Sequence, residues 1–383
     1  MQTIAFLLDY APQNWCSRED YHVGLCRELA ARGVGSVLVF AKDLPTELAM
    51  RFREVGIKWV TIDYGKGPAH YYRELGKLVR NYSVTSVHIC YFDYFSLVPW
   101  IARLQGVRSI IFEAMNGGEL RARSWKKSLL QLRTRAATLP IKRVIAISDF
   151  VRDQLIKAGM PTAKVFRRYL GVDTRFFSPN SSSGNCLASK YQISPEEVVL
   201  VSVSFLNPIK HVDTIIEACG LLSERGVKFK LLMAGDGPLR SELEAMSRRL
   251  DLADRIVWLG HFSDPRSLLR VGDIFLLASV GEAFGLVLAE AMACGLPVVA
   301  AQSGGIVEIV RDRETGCLVS PLNAQAFAEA LMELIGNSEL RKAMGSRGLK
   351  RVEQEFTLEN SIRDTVTIYE SMKLLKLEQS NAD

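Results

Sequence analysis

Two carboxylates, Glu282 and Glu290, stand eight positions apart in the segment SVGEAFGLVLAEAMACGLPVV, residues 279–299. Glu282 follows the strand-like run Ile274-Phe275-Leu276-Leu277 and adjoins a short turn, Ala283-Phe284-Gly285. Its side chain and the backbone amides of Phe284, Gly285 and Leu286 can therefore face one ligand. Glu290 falls one to two turns into the succeeding helix, where a carboxylate can take two vicinal hydroxyl donors. A helix N-terminus at this turn adds amides without intrahelical partners and a positive dipole, which suit a diphosphate. Two arbitrary glutamates are more often solvated or paired surface groups. The glycines, the small residues Ala289, Ala291 and Ala293, and the tight exit Gly295-Leu296-Pro297 turn the reading toward a sugar-nucleotide pocket.

Three other stretches carry candidate chemistry in the same half of the chain. Lys210 in VSVSFLNPIKHVDTIIEA follows a strand-like run where a helix should begin, a place where a lysine can meet phosphate, although a lone lysine is usually solvated surface. Gly235 and Gly237 in Ala234-Gly235-Asp236-Gly237-Pro238 sit at a strand-to-helix turn, where glycine lets backbone approach a ligand and expose amides; a plain tight turn is as good an account. Ser303-Gly304-Gly305 before Glu308 offers a further glycine turn. No metal-ligand spacing, phosphate-binding P-loop or Ser/His/Asp set is present, and the glycine turn lacks the GxGxxG spacing of dinucleotide binding.

These residues need a scaffold that presents them from strand ends. Strand-like apolar runs alternate with helical patterns throughout, at residues 3–8, 36–40, 58–62, 86–90, 109–112 and 143–147, then again at 198–203, 229–234, 256–259, 274–277, 298–300 and 316–319. Repeated strand-helix-strand units predict parallel, doubly wound sheets. The stretch FFSPNSSSGNCLASKYQISP, residues 176–195, is rich in Ser, Asn, Gly and Pro and reads as a linker. The expected organisation is an α/β chain of two Rossmann-like domains facing across a cleft. Residues 1–175 form the first, 176–357 the second, and a helix in 358–383 returns to the first.

The 383 residues carry 48% hydrophobic and 23% charged residues, which excludes a disordered or fibrous chain. Seven scattered cysteines without a CxxC pair fit free thiols in a reducing compartment. The opening MQTIAFLLDYAPQNW lacks a basic leader and a small-residue cleavage site, and it reads as a first buried strand. No uncharged run reaches the roughly 18 to 20 residues of a membrane span. The net charge of +6 hides an asymmetry: residues 1–175 hold 27 Lys+Arg against 15 Asp+Glu, and the remainder hold 21 against 27. The densest run, Arg121 to Arg143, interleaves Trp125, Leu129, Leu130 and Leu132 with Arg121, Arg123, Lys126, Lys127, Arg133 and Arg135. At helical spacing this suits either an anionic membrane surface or a helix that packs its leucines on its own domain. A peripheral, cytoplasmic enzyme with no nucleic-acid partner is the expectation.

Taken together the motifs resemble the retaining glycosyltransferases of family 4, of GT-B fold. Glu282, Ala283-Phe284-Gly285 and Glu290 match that family's paired-glutamate signature. Ala293-Cys294-Gly295-Leu296-Pro297-Val298-Val299-Ala300 and Gly304-Gly305-Ile306-Val307-Glu308 match the family's next two segments along the chain. Gly235-Asp236-Gly237-Pro238 and Leu259-Gly260-His261-Phe262-Ser263-Asp264 match two further loops, and Val144-Ile145-Ala146-Ile147-Ser148 with Leu170-Gly171-Val172-Asp173 matches the exit of the first domain. The resemblance implies that Glu282 holds the transferred sugar's hydroxyls, Glu290 the ribose hydroxyls and Lys210 the diphosphate. The amides at Phe284, Gly285 and Leu286 would lie near sugar and phosphate, and the loop at His261 and Phe262 near the base. It also implies a nucleoside-diphosphate sugar of UDP or GDP type as donor, a hydroxyl acceptor on a glycan or glycolipid, retention of configuration, and neither metal nor other cofactor.

Three positions depart from the family. Phe205 stands where an arginine is usual, with Ser204 in place of a glycine. The first strand-to-helix loop, DYAPQNWCSRE at residues 9–19, lacks a glycine pair and leaves Asn14 and Ser17 as donors. The usual histidine after the central strand of the first domain is absent from IIFEAMNGGE, which offers Glu113 and Asn116 instead. His88, at the end of a strand-like run, is a further first-domain candidate. These losses support an alternative reading, a catalytically weakened binding or accessory subunit.

Overall fold

The computed structural model describes residues 2–13, 15–93, 95–116, 124–179, 189–262 and 264–375, with backbone only for 124–129. The chain forms two compact units, one of residues 1–171 with 359–383 and one of 172–358.

The first unit is built on a seven-stranded parallel sheet of order β3-β2-β1-β4-β5-β6-β7. Its strands are β1 (Thr3–Leu8), β2 (Gly35–Phe40), β3 (Trp59–Thr61), β4 (Val84–Cys90), β5 (Ser109–Ala114), β6 (Arg143–Ala146) and β7 (Val165–Arg167). Every residue of β1 and β5 is buried, as continuous apolar runs require when helices cover both faces of a parallel sheet. The short edge strand β7 is absent from the sequence expectation, because three residues of mixed type, Val-Phe-Arg, carry no period.

The C-terminal helix Leu358–Ser371 counts with this unit from Glu359 onward. The Tyr21 and Thr365 hydroxyls share a hydrogen bond of 2.8 Å, and Arg32 Nη1 donates to Glu370 Oε1 at 2.7 Å. A side chain at Gly24 would meet Ile362 Cδ1 at 2.5 Å, so a glycine at that point of helix Ser17–Ala31 admits the C-terminal helix.

The second unit carries a six-stranded parallel sheet of order β10-β9-β8-β11-β12-β13. Its strands are β8 (Val198–Val203), β9 (Phe229–Ala234), β10 (Ile256–Gly260), β11 (Ile274–Leu277), β12 (Val298–Ala301) and β13 (Gly316–Val319). Its core gathers Leu200, Ile216, Leu231, Leu276, Phe327 and Leu331 between sheet and helices. Asp264, Asn323 and Asn337 each accept a backbone N–H in the first turn of the helix they precede. Both units are thus Rossmann-like α/β layers, as expected. Among the described residues no helix is long and apolar enough to cross a membrane. The six cysteines within them are free thiols.

Candidate active site

In the second unit the chain runs from β8 outward through β9 to β10, then returns to lay β11 on the other side of β8. Strand order reverses there, and in doubly wound sheets such a switch point leaves an open crevice at the carboxyl ends of the two strands. Lys210 follows β8 and Glu282 follows β11. After β8 the chain makes a 3-10 turn, Pro208–Lys210, and leaves it through His211 in the left-handed region, φ 45° and ψ 47°. The backbone joins the two loops, with Val280 N donating to Ile209 O at 3.0 Å. Lys210 Nζ donates to Glu282 Oε2 at 2.6 Å, with both side chains about one-fifth exposed. Residues 72 apart in sequence thus present one cation and one anion at the strand ends.

Glycines fix the height and direction of the Glu282 loop. Gly285 has φ +96° and ψ 48°, a conformation costly for any L side chain, and it turns the chain into helix Leu286–Ala293. Glu290 is the fifth residue of that helix, half-buried, with Gly285 and Leu286 at its N-terminus. Phe284 is buried, with its ring edge-on to Phe356 at 5.9 Å. Beneath the loop lies Ser303-Gly304-Gly305, which the sequence offers only as a glycine turn. Gly305 N donates to Glu282 O at 2.7 Å and Ser303 Oγ accepts from Gly281 N at 2.9 Å. A Cβ at Gly304 would fall 2.3 Å from Glu282 O, and one at Gly305 2.5 Å from Ala283 O. This glycine pair is the shelf on which the Glu282 backbone rests. Gly304→Ala, at φ +59°, is therefore expected to cost about 2 kcal/mol or more in denaturant unfolding and to weaken donor binding with it.

Gly235 and Gly237 are required by a close approach of two loops. Both amides are taken: Gly235 N donates to Gly260 O at 2.8 Å and Gly237 N to Asp236 Oδ1 at 2.8 Å. A Cβ at Gly235 would lie 1.8 Å from Ser204 O, and one at Gly237 2.5 Å from Leu206 O. These glycines let the loop after β9 lie directly on the loop that carries Lys210. His261 is exposed and Phe262 half-buried just after β10, and Ser263 lies outside the described residues.

The first-unit candidates differ in exposure. Asn14 lies outside the described residues, Ser17 is buried as the first residue of helix Ser17–Ala31, and Asn116 is exposed beyond the end of β5. The glycine-poor loop before that helix closes on Glu19, which no sequence reading singles out. Glu19 Oε2 accepts from Cys16 N at 3.0 Å and from Cys16 Sγ at 2.9 Å, and its Oε1 accepts from the Tyr10 hydroxyl at 2.9 Å. A carboxylate of the protein's own therefore caps this helix start. The legible signal is the three-residue interval from Cys16 to Glu19, a capping box with Cys in place of Ser or Thr. Burial, then the Glu19 charge, pushes the Cys16 thiol up to about 11.

His88 and Glu113, offered by the sequence as first-domain candidates, are both buried. β4 continues past His88 to Cys90, and His88 has 0% exposure. Its Nδ1 lies 2.6 Å from the Tyr369 hydroxyl of the C-terminal helix. The Arg168 guanidinium, fully buried, donates through Nη2 to Glu113 Oε2 and through Nη1 to Ser361 Oγ, and lies over the Tyr21 ring at 4.6 Å. Burial alone would raise the Glu113 carboxyl, but the Arg168 charge and the nearby His88 outweigh it and bring it down to about 2. Burial depresses His22, alongside, to about 4. Donor atoms of His88, Cys90 and Glu113 fall within 4.8 Å of one another, a set that could hold a metal ion. Arg168 already occupies Glu113, and a cation there would have to displace a buried arginine. The group is a charged keystone that fastens the C-terminal helix to the sheet.

Of the basic run from Arg121 to Arg143, the structure makes a helix at Ser124–Ala137. Arg121, Arg123 and the side chains of Trp125, Lys126, Lys127 and Leu129 lie outside the described residues; Leu132, Arg133 and Arg135 are exposed.

Comparison with known proteins agrees with this architecture. Residues 187–351 match the family described as Glycosyl transferases group 1, and residues 19–171 match the Glycosyl transferase 4-like domain. The chain is 30% identical over 226 residues to N-acetyl-alpha-D-glucosaminyl L-malate synthase of Bacillus anthracis, covering 59% of this chain and 58% of that protein. It is 26% identical over 306 residues to the putative glycosyltransferase EpsD of Bacillus subtilis, covering 78% and 79%. The first of these matches thus spans little more than half of its relative's length. Anabaena Alr3699/HepE, solved in complex with UDP, superposes with TM-score 0.79 at 19% identity, over 97% of this chain and 100% of that one. WaaG, a glycosyltransferase involved in lipopolysaccharide biosynthesis, superposes with TM-score 0.71 at 18% identity, over 96% and 99%. Two matched family regions on two Rossmann-like units show that the chain belongs to the group 1, family 4 type glycosyltransferases of GT-B fold.

Proposed function

We propose that this protein transfers a sugar from a nucleoside diphosphate, of UDP or GDP type, to a hydroxyl acceptor with retention at the anomeric carbon. The observation that carries the reading is the Lys210–Glu282 pair of 2.6 Å across the switch point of the second unit. An ammonium has three donors, so Lys210 can hold Glu282 and still meet a diphosphate oxygen. Glu282 then accepts from hydroxyls of the transferred sugar, and Glu290 accepts from the ribose hydroxyls. His261 and Phe262 stand toward the base, and the N-terminus of helix Leu286–Ala293 lies near sugar and phosphate. In the transfer the bond from the anomeric carbon to the leaving phosphate oxygen breaks as the acceptor oxygen bonds on the same face. The acceptor's proton passes to the leaving phosphate, whose growing charge Lys210 stabilises.

The net +12 of residues 1–175 favours an anionic or lipid-linked acceptor, in glycan or cell-envelope synthesis, at the inner face of the membrane. The UDP held by Alr3699/HepE and the L-malate in the name of the Bacillus anthracis relative support a UDP donor and an anionic acceptor. Phe205, 59% exposed on the loop that carries Lys210, favours a second reading in which the scaffold binds a nucleotide sugar without turning it over. Thermal unfolding with UDP, GDP, ADP and their sugars decides the donor, since a ligand at a hundred times its Kd adds about 2.7 kcal/mol. We expect one diphosphate series to raise the midpoint and its sugar to be hydrolysed or transferred. Binding without turnover across the panel supports the second reading, and no shift with any member rejects both.

A further inference from the structure

The connections from β3 to β4, β4 to β5 and β5 to β6 all travel the same way across the first sheet, and right-handed crossovers therefore place their helices on one face. These are Pro68–Asn81, Val98–Leu104 and Ser124–Ala137. Gln105 Nε2 donates to Tyr72 O at 2.8 Å, which ties the first to the second, and the Arg133 guanidinium lies over the Phe95 ring at 4.2 Å, which ties the third to the turn before the second.

The middle helix is apolar on both its buried and its exposed face. Val98, Ile101 and Ala102 face the core, while Leu97, Trp100 and Leu104, at helical spacing, are 52%, 38% and 70% exposed. Tyr72 and Leu132 on the neighbouring helices are exposed as well. Isolated exposed apolar residues are ordinary, but a group on adjoining helices marks a surface that meets something.

The charge around the group says what that is. Arg73, Lys77, Arg80, Arg103, Arg133 and Arg135 are all exposed on these helices. From position 68 to 148 the sequence has thirteen Lys and Arg against four acids, Glu74, Asp93, Glu113 and Glu119; Glu74 pairs with Lys77 and Glu113 is buried on Arg168. An acidic protein would match the charge but not the exposed leucines and tryptophan. An anionic bilayer matches both, because tryptophan and leucine settle at headgroup depth while lysine and arginine reach the phosphates.

We propose that this helical face of the first unit seats on an anionic lipid bilayer, with Leu97, Trp100 and Leu104 entering the interface. This goes beyond the attraction expected of the Arg121–Arg143 run: it names a different helix as the inserted element and assigns the basic neighbours to steering.

The test is co-sedimentation of the full-length protein with phosphatidylglycerol-containing vesicles and with pure phosphatidylcholine vesicles, at low and high salt. Wild type is expected to bind the anionic vesicles, less at high salt, and to leave the neutral ones in solution. The variant Leu97→Ser/Trp100→Ser/Leu104→Ser, altered only at exposed positions, should bind the anionic vesicles at least about tenfold more weakly. Wild-type binding that is equal on neutral vesicles overturns the proposal. So does a loss seen only in Arg121→Gln/Arg123→Gln/Lys126→Gln/Lys127→Gln while the apolar variant binds like wild type. Brominated lipids give a second readout: quenching of tryptophan emission should fall in Trp100→Phe, and unchanged quenching counts against insertion. A thermal shift with UDP on the apolar variant separates this result from the donor reading, since neither outcome dictates the other.

Discussion

A Glu282→Ala variant is expected to stay folded and to lose sugar transfer by roughly two to three orders of magnitude, as removal of a preorganised polar partner at a reacting centre does elsewhere. The reason is local. The Glu282 side chain keeps contact with solvent, so its removal leaves no sealed-in charge on Lys210, and its backbone is held independently by Gly305 N and by the approach of Gly304. What is lost, on the proposed assignment, is a carboxylate that takes sugar hydroxyls, at about 1.5 to 3 kcal/mol for each charged hydrogen bond. Lys210→Met should lose as much in kcat and also weaken the bare diphosphate, whereas Glu282→Ala should hardly change UDP binding, because its partner lies at the sugar. Calorimetric titration with UDP beside initial rates with the sugar nucleotide separates the two variants. If Glu282→Ala weakened UDP itself by the full factor, Glu282 would belong at the diphosphate and the assignment of the pair would be reversed.

The second large effect lies in the keystone under the C-terminal helix. Arg168→Met leaves Glu113 charged and buried with only the His88 imidazole beside it, a change expected to cost about 3 to 5 kcal/mol in unfolding. The double variant Arg168→Met/Glu113→Gln should recover much of that loss, and strict additivity of the two single changes would show that they do not act as a pair. Acid gives the same information in wild type. Glu113 sits at about 2 in the fold against an ordinary 4.5, so its contribution is complete above pH 4.5 and is lost as the pH falls toward 2. His22 sits at about 4 against 6.5, so between those values the unfolded chain binds a proton the folded one refuses, and stability again falls with pH. Each group accounts for about 3 kcal/mol, at up to about 1.4 kcal/mol per pH unit. Chemical denaturation from pH 7 to 4 should show the His22 limb, and His22→Phe should flatten it. A wild-type curve that is level over that range would be incompatible with a neutral buried His22.

The parts of this protein that are legible in its sequence are those governed by local rules. Apolar runs bounded by glycine and polar turns mark β1, β8, β9, β11 and β13 to the residue, because a strand covered on both faces is predominantly apolar. Alternation with helical segments then determines two parallel, doubly wound units. The Glu282, Gly285 and Glu290 spacing names a turn into a helix with two carboxylates on its near side. Lys210 is legible as a residue after a strand, but its partner is not. The 2.6 Å contact with Glu282 exists because β11 returns to the side of β8, a pairing between segments far apart in sequence.

Tertiary structure alone decided the rest. Gly235 and Gly237 read equally well as a ligand turn or a plain tight turn, and only the position of Ser204 O and Leu206 O shows the backbone approach they serve. His88 and Glu113 read as first-domain candidates, and only the arrival of Arg168, Ser361 and Tyr369 makes them the buried seat of a helix. Sequence dictates what each side chain can do by its chemistry and which face of its own element it shares. Whether a carboxylate meets a sugar or an arginine depends on which distant strand is laid beside it, and that is set by the packing of the whole sheet.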